Sequence, residues 1–244
     1  MSSKNSKIYI LSKKYPFLKK FYFFYNIYIR NLKFYFNGSQ FQEDKKILRL
    51  FDKNYRGRYV DLGCFHPTRV NNTFKMYKQG WNGMNIDLNP LTIELFNFAR
   101  PNDVNICSAI SNKVAKKKLY FLGDFDPKNT LNDAHKKWLN KEFRISNKDI
   151  KSKSIKTQRL DKVLEQNNFI EFDFLNIDIE GHELEALQSL NFKKFKIEVI
   201  CVEILDYDKS SNLRKKKLIK FLKKNKYRLV EKSTVNYIFK RQNK

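Results

Sequence analysis

Glycine and proline are scarce in this chain of 244 residues, seven and five in all. A dinucleotide site needs clustered glycines, as in GxGxxG, so that backbone amides can close on a pyrophosphate. The one place that invites such a turn, "DLGCFHP" at Asp61, holds a single glycine, which argues against NAD or FAD. Cysteine is also sparse: Cys64, Cys107 and Cys201 stand far apart and form no CxxC pair. Neither a disulfide framework nor a cysteine zinc site is expected, and a reducing cytoplasm fits best. Long apolar runs are missing. The early run "FYFFYNIYI" is short, lacks a small-residue cleavage site and follows a lysine-rich lead, so neither a signal peptide nor a membrane span is expected.

Acidic residues are the remaining shortage. Against 25 Asp and Glu stand 50 Lys and Arg, a formal net charge of +25. Such an excess attracts a polyanion, be it nucleic acid, an anionic membrane or a phosphorylated carrier. AT-rich coding gives the same composition, since the excess is mostly lysine and comes with abundant Asn, Ile, Phe and Tyr. Only a basic face gathered in one place separates the two readings. The first 36 residues are the candidate: "KIYILSKKYPFLKKFYFFYNIYIRNLKFYF" interleaves lysines with Tyr and Phe. As a helical arm it either lies on an anionic membrane, rings down and lysines toward the headgroups, or packs its aromatic side on the domain or on a second copy.

What the chain has in quantity is alternation of short apolar strands with helical stretches, enough for one globular domain over residues 37–244 behind the arm. "RYVDLGCF" and "GMNIDLNP" read as strands, "NNTFKMYKQG" as the crossover between them, "LTIELFNFAR" as a helix and "DVNICSAIS" as a third strand. This is the rhythm of a doubly wound parallel sheet. Residues 112–154 read as an insertion, polar and lysine-rich, with "KLYFLG" as an added strand and the remainder either a segment that recognises substrate or no more than a mobile surface loop. Regularity returns with "TQRLDKVLEQNN" (helix), "EFDFLNIDI" (strand), "GHELEALQSL" (helix), "KIEVICVEI" (strand), a long lysine-rich helix and a closing antiparallel pair, "YRLVEK" with "VNYIFK".

Ligands of open α/β sheets bind beyond the carboxyl ends of the strands. The exits here are Asp61 to Pro67, Asp87 to Pro90, Cys107 to Ile110, Asp178 to Glu183 and Glu203 to Asp206. A cationic nucleoside needs no phosphate cradle but does need carboxylates. Asp61 offers one, Gly63 lets backbone come close, and Asp87 lies at the spacing at which an acid accepts ribose hydroxyls.

In these blocks the sequence resembles the FkbM family of S-adenosylmethionine-dependent methyltransferases. The blocks are "GSQFQEDKKIL", "YVDLGCFHPTRVNNT", "GWNGMNIDLNP", "ICSAIS", "TQRLDKVL", "FDFLNIDIEGHELEAL" and "VICVEI", in that order. The resemblance implies an α/β class I methyltransferase fold: a Rossmann-like seven-stranded sheet, mostly parallel, with a C-terminal antiparallel hairpin. It implies S-adenosyl-L-methionine as cofactor and methyl transfer to a hydroxyl of a sugar, a surface glycan or a related small molecule. Carried onto this sequence, Asp61, Gly63, Cys64 and Phe65 lie under the methionine part. Asp87 and Leu88 hold the ribose and flank the adenine, Ser108 and Ala109 take its other side, and Gln40, Glu43 and Asp44 close over the cofactor. The family's usual glutamate after the second strand is the shorter Asp87 here.

For the reaction itself, His182 is the first candidate base, its tautomer held by Asp178 or Glu180. Asp178 closes a hydrophobic strand, which costs desolvation unless the acid is used. Glu203 is the expected second wall of the acceptor pocket, whereas Glu183 serves the helix dipole. A divalent metal held by His66, His182, Asp178, Glu180 and Glu203 is a less favoured reading, better suited to Mg²⁺ or Mn²⁺ than to zinc. Two other functions stand as alternatives. One is nucleic-acid methylation, although the Asn-Pro-Pro-aromatic signature is missing and no specific nucleic acid is expected; the other is a non-catalytic membrane-associated binding protein. The expected location is cytoplasmic, with peripheral contact to an anionic membrane through residues 1–36.

Overall fold

The computed structural model describes residues 15–123, 128–206 and 208–242. The first fourteen residues of the expected arm lie outside that range. The rest of the arm is helical: α1 (Pro16–Phe24), a π turn (Tyr25–Ile29) and α2 (Leu32–Asn37), followed by α3 (Glu43–Leu48).

Seven strands form one sheet: β1 (Arg58–Leu62), β2 (Asn82–Asp87), β3 (Val104–Cys107), β7 (Phe174–Ile177), β8 (Val199–Glu203), β9 (Tyr227–Ser233) and β10 (Asn236–Arg241). Their order across the sheet is β3-β2-β1-β7-β8-β10-β9. The first five pair in parallel, and β10 runs antiparallel to both of its neighbours. This is the expected mixed α/β sheet closed by a hairpin.

The period-two alternation of each strand divides the core. Val60 and Leu62, Met84 and Ile86, Leu175 and Ile177, and Ile200 and Val202 face α7 (Leu160–Gln166) and α8 (Glu183–Gln188). On the other face Tyr59, Phe174, Val199 and Cys201 meet Ile47, Met76 of α4 (Phe74–Lys78) and Trp81. Each large apolar side chain so buried contributes about 1.5–3 kcal/mol before chain entropy is charged against it. Gly83 stands opposite Tyr59, and a β-carbon there would come within 2.0 Å of the ring. Toward the carboxyl ends the second face turns polar: Asp61 pairs in register with Asn85 and Asn176, and Glu203 ends β8 on the same side as Cys201.

Between β2 and β3 runs α5 (Pro90–Ala99), which starts cleanly because the Asn89 side chain accepts from the Leu91 amide at 3.0 Å and Pro90 fits the first turn. The third strand is shorter than "DVNICSAIS" implies. The Ser108 amide donates to the Asp87 carbonyl, and β4 (Ala109–Ile110) then leaves the main sheet. It pairs instead with β6 (Lys151–Gln158), which also pairs antiparallel with β5 (Lys116–Phe121). The insertion is therefore not the loop its polarity implied. It supplies β5, where "KLYFLG" reads as an added strand, and the start of β6 to a three-stranded sheet completed by β4, and it carries α6 (Asp133–Glu142), whose buried His135 and Leu139 lie one turn apart. The long helix α9 (Lys209–Lys224) begins at a capping box between Asp208 and Ser211. Among the described residues no helix is long and apolar enough to cross a membrane.

Candidate active site

A cavity of about 500 Å³ opens at the carboxyl ends of β1, β2, β7 and β8, within the size range of small-molecule sites. Asp61, Gly63, Cys64, Phe65, Asp87, Leu88, Ser108 and Ala109 line it, as do Asp178, Glu180, His182 and Glu203. Asn26, Asn31 and Phe34 of the arm close one side, and Asn129 and Leu131 of the insertion another.

The first exit is held by its own polar net. Gly63 has φ +81°, and a β-carbon there would sit 1.7 Å from the Asp178 carbonyl, so the backbones of two strand exits touch only because this residue is glycine. Asp61 is buried, and both oxygens are taken: Oδ1 accepts from Asn176 at 2.8 Å, Oδ2 from Thr73 Oγ1 at 2.8 Å and Asn71 at 3.0 Å. Burial raises its pKa, while these donors and the nearby Arg100 guanidinium pull it back. Arg100, fully buried, donates to Tyr59 Oη, Thr73 Oγ1, Asn71 Oδ1 and the Pro67 carbonyl. The loop it ties down carries Phe65 at φ +52° and the β-branched Val70 at φ +48°, backbone states that persist only where surroundings enforce them.

At the second exit Asp87 accepts from the Asn89 amide at 2.8 Å and the Phe65 amide at 3.2 Å. A carboxylate has about four lone-pair sites, so capacity remains for hydroxyl donors. Burial pushes its pKa up to about 6 against the pull of those amides. Ser108 Oγ, at the third exit, accepts from Gln158 at 3.2 Å.

Three acids meet at the far wall. Asp178, Glu180 and Glu203 each bring an oxygen within 4.8 Å of the others, a hard ligand set that also suits a divalent cation. Asp178 and Glu203 hydrogen-bond to each other, and both are pushed well above the usual carboxylate range, chiefly by burial and then by neighbouring negative charge. The pair therefore keeps a proton into the range where isolated acids have lost theirs. Glu180 sits at φ +56° and reaches His135 Nε2 at 3.0 Å. Its carbonyl accepts from Thr130 Oγ1 at 2.7 Å, and that of Gly181 from Asn132. The insertion thus clamps the turn that aims the acids.

His182 has other partners than those expected. Its Nε2 lies 3.0 Å from Ser111 Oγ and 3.3 Å from Lys117 Nζ, and its Nδ1 lies 3.7 Å from Glu185, not beside Asp178 or Glu180. Burial first, with Lys117 and Arg214 behind it, lowers its pKa to about 4 against the pull of Glu185, so the ring is neutral at pH 7. His66 turns to Asn31 and to the Thr68 and Arg69 amides and does not join the three acids. Glu183 accepts from the Gly181 amide at 2.7 Å, serving the helix start. Gln40 reaches the cavity, but Glu43 bonds Ser233 and Asn236 of the hairpin, and Asp44 bonds Ser39. Neither of those two acids lines the cavity.

The family model described as the methyltransferase FkbM domain matches residues 57–229. The chain belongs to this methyltransferase family. Among curated proteins none matches it. The FkbM match covers every strand exit described above and leaves out the arm, so Asn26, Asn31, Phe34 and Gln40 close an FkbM cavity from outside the matched region. Sequence reasoning missed Asn71, Thr73, Arg100, Asn176 and His135. A polar residue inside an apolar strand was a readable signal for Asn176. For Arg100 and His135 there was no local signal.

Proposed function

We propose that this FkbM methyltransferase transfers a methyl group from S-adenosyl-L-methionine to a hydroxyl of a sugar, a glycan or a related small acceptor. The observation that carries this reading is the half-buried, hydrogen-bonded Asp178–Glu203 pair, facing the same cavity as the Gly63 and Asp87 turns. The donor set fits the cofactor. Gly63 to Phe65 give close backbone under a methionine chain, Asp87 has lone pairs for ribose hydroxyls, and Leu88, Ser108 and Ala109 offer a slot for a flat base. The acid-lined wall suits a sulfonium cation.

S-adenosyl-L-methionine supplies a methyl group on a positively charged sulfur, open to in-line attack. Most of the rate then comes from holding the acceptor oxygen on that axis. Asp178 would take the proton of the acceptor hydroxyl as the methyl group passes from sulfur to oxygen, the carbon–sulfur bond breaking to leave a neutral thioether. Its raised pKa makes it a stronger base than an ordinary carboxylate. Glu203 holds Asp178 through their shared proton, and Glu180 is itself held by His135. His182 is a positioning residue in this scheme, because its Nε2 is engaged by Ser111 and Lys117.

Calorimetry with S-adenosyl-L-methionine is expected to give near one-to-one binding, and its absence overturns the reading. Mass spectrometry of native host glycans with and without the gene then seeks the loss of one methyl group. Assays with and without EDTA separate a proton-handling role of the three acids from a cation-holding one.

A further inference from the structure

The arm has two faces with different chemistry. Tyr22, Phe23 and Ile27 are buried against Leu91 and Leu95 of α5, and the π turn sets Asn31 five residues beyond Asn26 so that both reach the cavity. The opposite face carries Phe17, Phe21, Phe24, Ile29, Leu32 and Phe36, all exposed, Phe21 to 70% and Phe36 to 76%. Domain packing thus accounts for one side of the arm only. A row of rings this open to water points to a partner.

Charge decides which one. Residues 1–42 contain eight Lys and Arg and no Asp or Glu. Lys20, Arg30 and Lys33 are exposed among the outward rings. A second copy brings its own +25 to such a face and is repelled, whereas an anionic bilayer is attracted and accepts the rings at the headgroup boundary. We infer that the outer face of residues 17–36 docks this protein on an anionic membrane surface, lying on it without spanning it.

The cavity follows from this placement. A helix is about 10–12 Å across, and the inner side of this one supplies cavity wall through Asn26, Asn31 and Phe34. Docking therefore holds the site beside the headgroups, and an acceptor carried on a lipid anchor meets it there. That last step rests on the methyl-transfer reading; the docking itself does not.

The test is flotation of the full chain with vesicles of phosphatidylcholine alone or mixed with phosphatidylglycerol. The chain is expected to float with the mixed vesicles only, less so at high salt. A Phe21→Ser, Leu32→Ser, Phe36→Ser variant, altered at exposed positions, is expected to lose roughly tenfold or more of vesicle binding. Its thermal midpoint and its S-adenosyl-L-methionine binding are expected to stay unchanged. Native chain left in solution with the mixed vesicles overturns docking, as does a variant that floats equally well. So does a concentration-dependent dimer that the same three substitutions abolish. Cofactor binding measured beside flotation keeps the two readings apart: silence in calorimetry with intact flotation fails the enzyme and leaves the dock.

Discussion

Asp87 accepts two backbone amides and is still pushed up to about 6, because burial outweighs both bonds. With its folded pKa above the unfolded value, the protonated form favours folding, and that contribution is lost as pH rises through about 6. Binding asks for the other form, since an ionised carboxylate accepts ribose hydroxyls best. Calorimetry should therefore show S-adenosyl-L-methionine affinity weakening as pH falls below 6, by up to about tenfold per unit. Asp87→Asn should bind weakly at every pH and lose the slope. The acid pair allows a second contrast. Asp178→Asn should lose about 10²–10⁴ in turnover while keeping the cofactor. Glu203→Gln still donates the hydrogen bond that lowers the Asp178 pKa against burial and the charge of Glu180. It should retain more activity and leave the rising limb of the pH–rate profile nearly in place.

Among elements, the loop leaving β1 matters most, and one side chain pins it. Arg100 reaches from the end of α5 to Tyr59, Thr73, Asn71 and the Pro67 carbonyl. Arg100→Met leaves the Pro67 carbonyl without this donor and strips one bond each from Tyr59 Oη, Thr73 Oγ1 and Asn71 Oδ1, so urea unfolding should show a loss of about 2–4 kcal/mol, with cofactor binding falling alongside. Nothing local announced this. The bond to Pro67 spans 33 positions, and that from Thr130 to Glu180 spans 50. Hydrophobic period reports which face an element buries, and that was enough to read the strands, their exits and the closing hairpin. It does not report which polar side chains meet across the sequence. The same limit explains His182: its ring lies where Ser111, just after β4, meets Lys117 of β5, a meeting no spacing encodes. Within the insertion "KLYFLG" marks β5, but β6 gives no such signal because it is lysine-rich and mostly exposed, so its pairing satisfies backbone without burying an apolar face.

For the whole molecule, the question is how a chain of net charge +25 binds a cofactor that is itself cationic. Distance decides it. Exposed lysines act through water and salt, and beyond a Debye length of about 8–10 Å their field is largely screened at physiological ionic strength. Asp87, Asp178, Glu180 and Glu203 line the cavity at short range, in surroundings where screening is weak. Raising salt should remove the repulsive far field and leave the attractive near one. S-adenosyl-L-methionine affinity, followed by calorimetry from low to physiological salt, should therefore hold steady or rise slightly. A polyanionic ligand behaves oppositely, since its binding rests on counterion release and falls steeply with salt. An affinity for S-adenosyl-L-methionine that drops with salt would mean that surface charge, and not the acid-lined cavity, governs its capture.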